Sequence, residues 1–192
     1  MPFIRCGQNG FYFCHVPRTG GRSLVQALAR SGCDIDYNAG RGRHPHAWTK
    51  EWVSNFPNAP SVAVVREPID RFVSAMSFEG RVEDKMDLFK QVRMMRRLPQ
   101  VDERHFASQS AFINKDTRLY RYEDGYDHLL NDLVEFGFLK SAEMVGRINA
   151  GALNIEPTLT ERRLHLEKLR RFYRQDFALH RSVENGKKLN QT

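Results

Sequence analysis

Ser61-Val62-Ala63-Val64-Val65 is an apolar run of strand length that ends on Arg66-Glu67-Pro68. A segment apolar at every position suits a strand covered on both faces, as in a parallel sheet flanked by helices. Ile69, Phe72, Val73 and Met76 follow at helical spacing, with Asp70, Arg71 and Ser74 expected on the less apolar faces. A strand therefore feeds a helix across a short turn at Arg66. The same order occurs earlier: Phe11-Tyr12-Phe13-Cys14-His15-Val16 has strand composition, Pro17 to Ser23 forms a turn, and Leu24, Val25 and Leu28 share a helical face. Two strand-to-helix units in succession predict an α/β fold, a three-layer α/β/α domain on a short central parallel sheet.

Both turns carry groups suited to anions. In the first, Gly20 and Gly21 let backbone approach a ligand, and the new helix directs its first amides and positive dipole end at the turn. Arg18, Thr19, Arg22 and Ser23 add two guanidiniums and two hydroxyls, a set suited to phosphate or sulfate oxygens. In the second, Arg66 at a strand end and Ser74 in the following helix can hold one phosphate between them. Each pattern also fits a bland turn with solvated arginines, so the weight rests on the pair. The nucleotide-kinase loop G-x-x-x-x-G-K-[ST] is excluded because the chain contains no Gly-Lys-Ser or Gly-Lys-Thr.

Taken together, His15-Val16-Pro17-Arg18-Thr19-Gly20-Gly21-Arg22-Ser23 and Val65-Arg66-Glu67-Pro68-Ile69-Asp70-Arg71-Phe72-Val73-Ser74 resemble the two nucleotide loops of sulfotransferases that use 3′-phosphoadenosine 5′-phosphosulfate (PAPS). That resemblance implies a sulfotransferase fold related to the P-loop NTPases and transfer of a sulfuryl group to an acceptor hydroxyl. PAPS would be the donor, 3′-phosphoadenosine 5′-phosphate (PAP) the product, and no metal would be required. Residues Arg18 to Ser23 would hold the 5′-phosphosulfate, and Arg66 with Ser74 the 3′-phosphate. Arg18 stands where the family usually has lysine, which keeps the charge and changes its geometry.

Between the loops, Gly40-Arg41-Gly42-Arg43-His44-Pro45-His46-Ala47-Trp48 is similar to the His-x-His segment of the uronosyl 2-O-sulfotransferase branch. The resemblance makes His46 the general base and His44 its assistant or positioner, a role that histidine chemistry suits near neutral pH. The residues themselves leave two other readings open, ordinary loop histidines or part of a metal site, although no third ligand has supporting spacing. Arg104-His105-Phe106-Ala107-Ser108-Gln109 resembles a segment lining the acceptor cleft, with Arg104, His105 and Gln109 as substrate-binding candidates. His105 and Gln109 would share one helical face. Leu119 to Asp124 and Phe172-Tyr173-Arg174-Gln175-Asp176-Phe177 resemble the family's later strand with its acidic turn and its C-terminal helix, and are read as fold markers. A saccharide hydroxyl is the first expectation for the acceptor.

At 192 residues and 41% hydrophobic content the chain can bury a full core, so one domain over 1–192 is expected, with a frayed tail from about residue 185. Its net charge of +7 favours anionic partners, PAPS and an acidic glycan among them. The basic residues are dispersed and form no recognised nucleic-acid module. Val82 to Leu98 reads as an amphipathic helix, His128 to Phe136 as another, and a long helix is predicted from about Thr158 to Val183, opened by a Thr158–Glu161 capping box. Cys6, Cys14 and Cys33 are odd in number and form no C-x-x-C pair, which suits a reducing compartment better than a disulfide framework. With no membrane-length apolar run, the chain reads as a cytoplasmic bacterial or viral relative, or as a Golgi lumenal domain parted from its anchor. Two other functional classes stay open: a phosphoryl-transfer enzyme, and a non-catalytic binder of nucleotides or sulfated glycans on the same fold.

Overall fold

A computed structural model describes residues 1–37, 59–78, 103–142 and 163–183. Five strands form one sheet: β1 (Phe3–Cys6), β2 (Asn9–Cys14), β3 (Asp34–Asp36), β4 (Ser61–Val65) and β5 (Arg118–Arg121), in the order β3-β1-β2-β4-β5. β2, β4 and β5 pair in parallel, while β1 pairs antiparallel with both β2 and β3. Four strands therefore run one way and β1 alone opposes them. The helices among the described residues are α1 (Gly21–Arg30), α2 (Pro68–Phe78), α3 (Asp127–Glu135), α4 (Arg163–Phe172) and α5 (Arg174–Ser182).

The uniform apolarity of β4 has the expected cause. Val62 and Val64 join a core with Phe11, Phe13, Leu24 and Leu28, closed by Leu129 and Leu133 of α3. Ala63 and Val65 point the other way, toward Tyr12, Cys14, Phe112, Leu119 and Val183. Alternate side chains of one strand thus serve two cores, giving the three-layer α/β/α arrangement. A third cluster packs Phe72 and Met76 of α2 against Phe106, Leu169 and Tyr173.

β1 and β3 were not foreseen from the sequence. β3 follows α1 through a glycine-ended cap: Gly32 has φ 86°, the Cys33 amide donates to the Leu28 carbonyl and the Gly32 amide to that of Ala29. That turn lays Asp34-Ile35-Asp36 beside β1, with Arg5 opposite Asp34. One step further along the register, Cys6 meets Cys33 with Cα atoms 4.5 Å apart, and the two form a disulfide. This corrects the cysteine reading and removes its argument for a reducing compartment. Closing a loop of this size stabilises the fold by about 3–4 kcal/mol in the chain-entropy account. Cys14 stays a buried thiol.

The long C-terminal helix is also corrected. Helical hydrogen bonds continue through Tyr173, whose amide reaches the Leu169 carbonyl at 2.8 Å and whose carbonyl accepts from Phe177 at 3.0 Å. Its φ of −96° and ψ of 24° nevertheless divide the segment into α4 and α5. The Tyr173 hydroxyl donates to the Phe106 carbonyl at 2.7 Å, tying this bend to the neighbouring segment. The predicted Val82–Leu98 helix, the Thr158 capping box and the tail from 185 lie outside the described residues. Among the described residues no helix is long and apolar enough to cross a membrane.

Candidate functional site

The first loop is built from its own short-range bonds. Thr19, 0% exposed, donates its hydroxyl to the Val16 carbonyl at 2.9 Å, so that hydroxyl is spent inside the turn. Gly20 has φ 74° and caps α1, its carbonyl accepting from the Ser23 and Leu24 amides. A Cβ at Gly20 would overlap the Tyr126 hydroxyl, and one at Gly21 would overlap the His15 ring. Both glycines are therefore required by close approach. Arg18 also adopts a positive φ, 68°, unusual for a residue with a side chain.

The second loop is held from a distance. Gln109 clasps the Arg66 backbone at both ends: its Oε1 accepts from the Arg66 amide at 3.0 Å and its Nε2 donates to the Arg66 carbonyl at 2.8 Å. The Glu67 amide donates to Glu123 Oε1 at 2.6 Å, and Glu67 Oε2 accepts from the Asp70 amide at 2.8 Å, capping α2 ahead of Pro68. Burial raises the Glu67 carboxyl above its usual value despite that amide. Arg71, placed on a less apolar face by the sequence reading, is instead fully buried. Its guanidinium donates to the carbonyls of Pro17 at 3.3 Å, His105 at 3.2 Å and Ala107, and so joins the two loops to the 103–112 segment.

The loops meet directly. Arg18 donates from Nε and Nη2 to the Ser74 hydroxyl, at 3.3 and 3.1 Å, and its guanidinium lies 4.3 Å from the centroid of the Phe78 ring. Arg66 is 9% exposed and its guanidinium lies 4.6 Å from the Tyr122 ring centroid. Its Nε, like those of Arg71 and Arg118, has no hydrogen-bond partner among the described residues. Between the loops is a cavity of about 650 Å³ lined by Arg18, Gly20, Gly21, Arg22, Ser23, Arg66 and Ser74, with His15, Val25, Tyr37, Phe78, His105 and Tyr122 completing the wall. That volume lies within the roughly 300–1,000 Å³ of small-molecule sites. Three guanidiniums face it, and no carboxylate is among the described residues of its wall.

Most of the anticipated donor-binding residues thus line one cavity. His105 lines it too, buried and edge-on to Phe78 at 5.1 Å between centroids. Arg104 is half-buried and off the wall, and Gln109 is 0% exposed behind Arg66. The expected shared helical face of His105 and Gln109 does not form, because Glu103–Phe106 and Gln109–Phe112 are two separate 3-10 turns. His44 and His46 lie outside the described residues. Sequence reasoning missed the aromatic wall of Tyr37, Phe78 and Tyr122, and missed Arg71 and Asp176 as buried supports. Arg71 and Asp176 sat within the two motifs already noticed, which was the available signal.

The sequence model of the Sulfotransferase family matches residues 1–181. The chain belongs to the sulfotransferase family. No curated protein and no solved structure matches the chain. Its mostly parallel sheet flanked by helices is consistent with that family's α/β fold.

Proposed function

We propose that the protein transfers a sulfuryl group from PAPS to an acceptor hydroxyl, with a saccharide as acceptor. The observation that carries the donor is the cavity in which both loops converge, its wall bearing Arg18, Arg22 and Arg66. The fit to a nucleotide with phosphates at two ends rests on two features. Arg66, buried and with its Nε unpaired among the described residues, lines the cavity, and the backbone of Gly20 and Gly21 lines it where α1 begins. Arg18, Arg22, Ser23 and the first amides of α1 would hold the 5′ end, Arg66 and Ser74 the 3′-phosphate, and the Tyr37, Phe78 and Tyr122 rings offer flat apolar surface to the nucleoside.

When bound, the donor supplies an activated sulfuryl group. The chain's residues orient it and stabilise charge: guanidinium and helix-end amides fixed near the 5′ end lower the cost of charge developing on the departing phosphate. A base must take the acceptor's proton, and His46 is assigned that part from the His-x-His resemblance, with His44 positioning it. The saccharide preference rests on the same resemblance, and no metal enters this mechanism.

Calorimetry with PAP tests the donor site. Micromolar binding by the wild type, weakened about a hundredfold or more in Arg66→Ala, is expected for loss of a charge-assisted phosphate contact. Absence of binding in the wild type overturns the reading. His46→Ala should keep PAP affinity and lower turnover on a saccharide acceptor by about two to four orders of magnitude. Tight PAP binding by a wild type that sulfates no hydroxyl acceptor would favour a nucleotide binder on this fold.

A further inference from the structure

Arg66 is aimed by residues far from it in sequence. Gln109 holds both backbone groups of Arg66, leaving the loop's main chain no freedom to rotate without breaking a bond. Gln109 is in turn fixed by Asp176 of α5, which is 0% exposed. The Asp176 carboxylate accepts from the Gln109 amide at 3.0 and 2.9 Å, from the Ser110 amide at 3.4 Å and from the Ser108 hydroxyl. A buried carboxylate at the first amides of the Gln109–Phe112 turn is well matched to the positive end of those peptide dipoles. The neighbouring residue of the loop receives a parallel tether. One turn beyond Asp176, His180 Nε2 contacts Glu123 Oε2 at 3.0 Å, and Glu123 Oε1 accepts from the Glu67 amide. Residues 173, 176 and 180 share one face of the helical segment, and its polar atoms reach the Phe106 carbonyl, the Gln109 turn and Glu123.

We propose that this face of α5 sets the position of the 3′-phosphate arginine, making Asp176, read from the sequence as a fold marker, and Gln109, read as a substrate-binding candidate, positioning residues for donor recognition. The inference rests on the reading of Arg66 as the 3′-phosphate contact. Neither residue lines the cavity, so both act on it through the Arg66 backbone.

The consequence is a change in selectivity. PAP and adenosine 5′-monophosphate differ only in the 3′-phosphate, so the ratio of their affinities reports on Arg66 while general damage to the fold lowers both together. In Asp176→Asn an amide NH₂ can replace an acceptor facing the Gln109 amide, and in Gln109→Met both bonds to Arg66 are lost at similar side-chain length. Each variant should lower the PAP preference about tenfold, corresponding to about 1.4 kcal/mol, with monophosphate affinity within about twofold of wild type. Circular dichroism and thermal unfolding identify any variant that fails to fold, and the other then carries the test. Folded variants that retain the full wild-type preference overturn the positioning role and leave the Arg66 reading intact. A wild type with no preference for the 3′-phosphate overturns that reading, and this inference with it.

Discussion

The two strand-to-helix loops have similar outlines and draw in different proportions on local and distant support. Val16 to Ser23 is shaped largely from within, by the Thr19 hydroxyl on the Val16 carbonyl, by Gly20 at positive φ and by the first turn of α1, with the Tyr126 hydroxyl on the Thr19 carbonyl and Arg71 on that of Pro17 as outside ties. Arg66 to Ser74 is stabilised from outside, by Gln109, Glu123 and, through Arg71, by Pro17, His105 and Ala107. A loop of the first kind is encoded in consecutive residues. One of the second kind acquires its shape only when distant segments arrive, and its energetics belong to the tertiary structure.

The widest break in this contrast comes from Arg71, which serves both loops. Arg71→Met should strand buried carbonyls on either side and lower stability by about 3–5 kcal/mol, read from the shift in the denaturant midpoint. A loss below about 1 kcal/mol would mean that the loops do not depend on that guanidinium. Gly20→Ala is the counterpart confined to the first loop. Positive φ and overlap with the Tyr126 hydroxyl should cost about 2–3 kcal/mol, with PAP affinity falling further than the Arg66-dependent preference for the 3′-phosphate. A variant that loses that preference first would show that the two loops are not separable.

The smallest effect concerns Cys14, at the end of the strand that enters the first loop. Burial pushes its thiol up to about 11 from an ordinary 9.0, against the opposing hydrogen bonds of Thr117 and Ser61. A raised thiol value means the neutral form is favoured in the fold. Its contribution is thus fully present below about pH 9 and lost as pH climbs toward 11, by about 2 kcal/mol at the upper end. Relative to Cys14→Ala, the wild type should lose that much between pH 8 and pH 11 in parallel denaturant titrations. An unchanged gap would show that Cys14 ionises without penalty.

What was legible in the sequence follows the same division. β4 and the start of α2, α1 with its glycine turn, and the helix near 128–136 were all readable because each is set by neighbours a few residues apart. β3 was not, since Asp34-Ile35-Asp36 has little strand propensity and is ordered by pairing with β1 next to the disulfide. Arg71 looked like a surface residue because periodicity reports which face of a helix is apolar. It cannot report that three carbonyls from other segments would converge on a charge there. Asp176 was noticed as part of a motif, but its partner Gln109 lies 67 residues away and only the fold brings them together. The aromatic wall escaped for a similar reason: Tyr37, Phe78 and Tyr122 come from three separate segments of the chain.

The Asp176–Gln109–Arg66 chain also bears on the order in which this protein becomes competent. The closures that shape the turn from Val16 to Leu24 are local, although β2 also pairs with β4 and the Tyr126 hydroxyl reaches the Thr19 carbonyl. Arg66 reaches its final aim only after contacts spanning 43 and then 67 residues have closed. Such long loops close late in folding because their entropy must be spent before any contact rewards it. If Arg66 reads the 3′-phosphate as proposed, that discrimination belongs to the completed tertiary structure and to no single stretch of the chain.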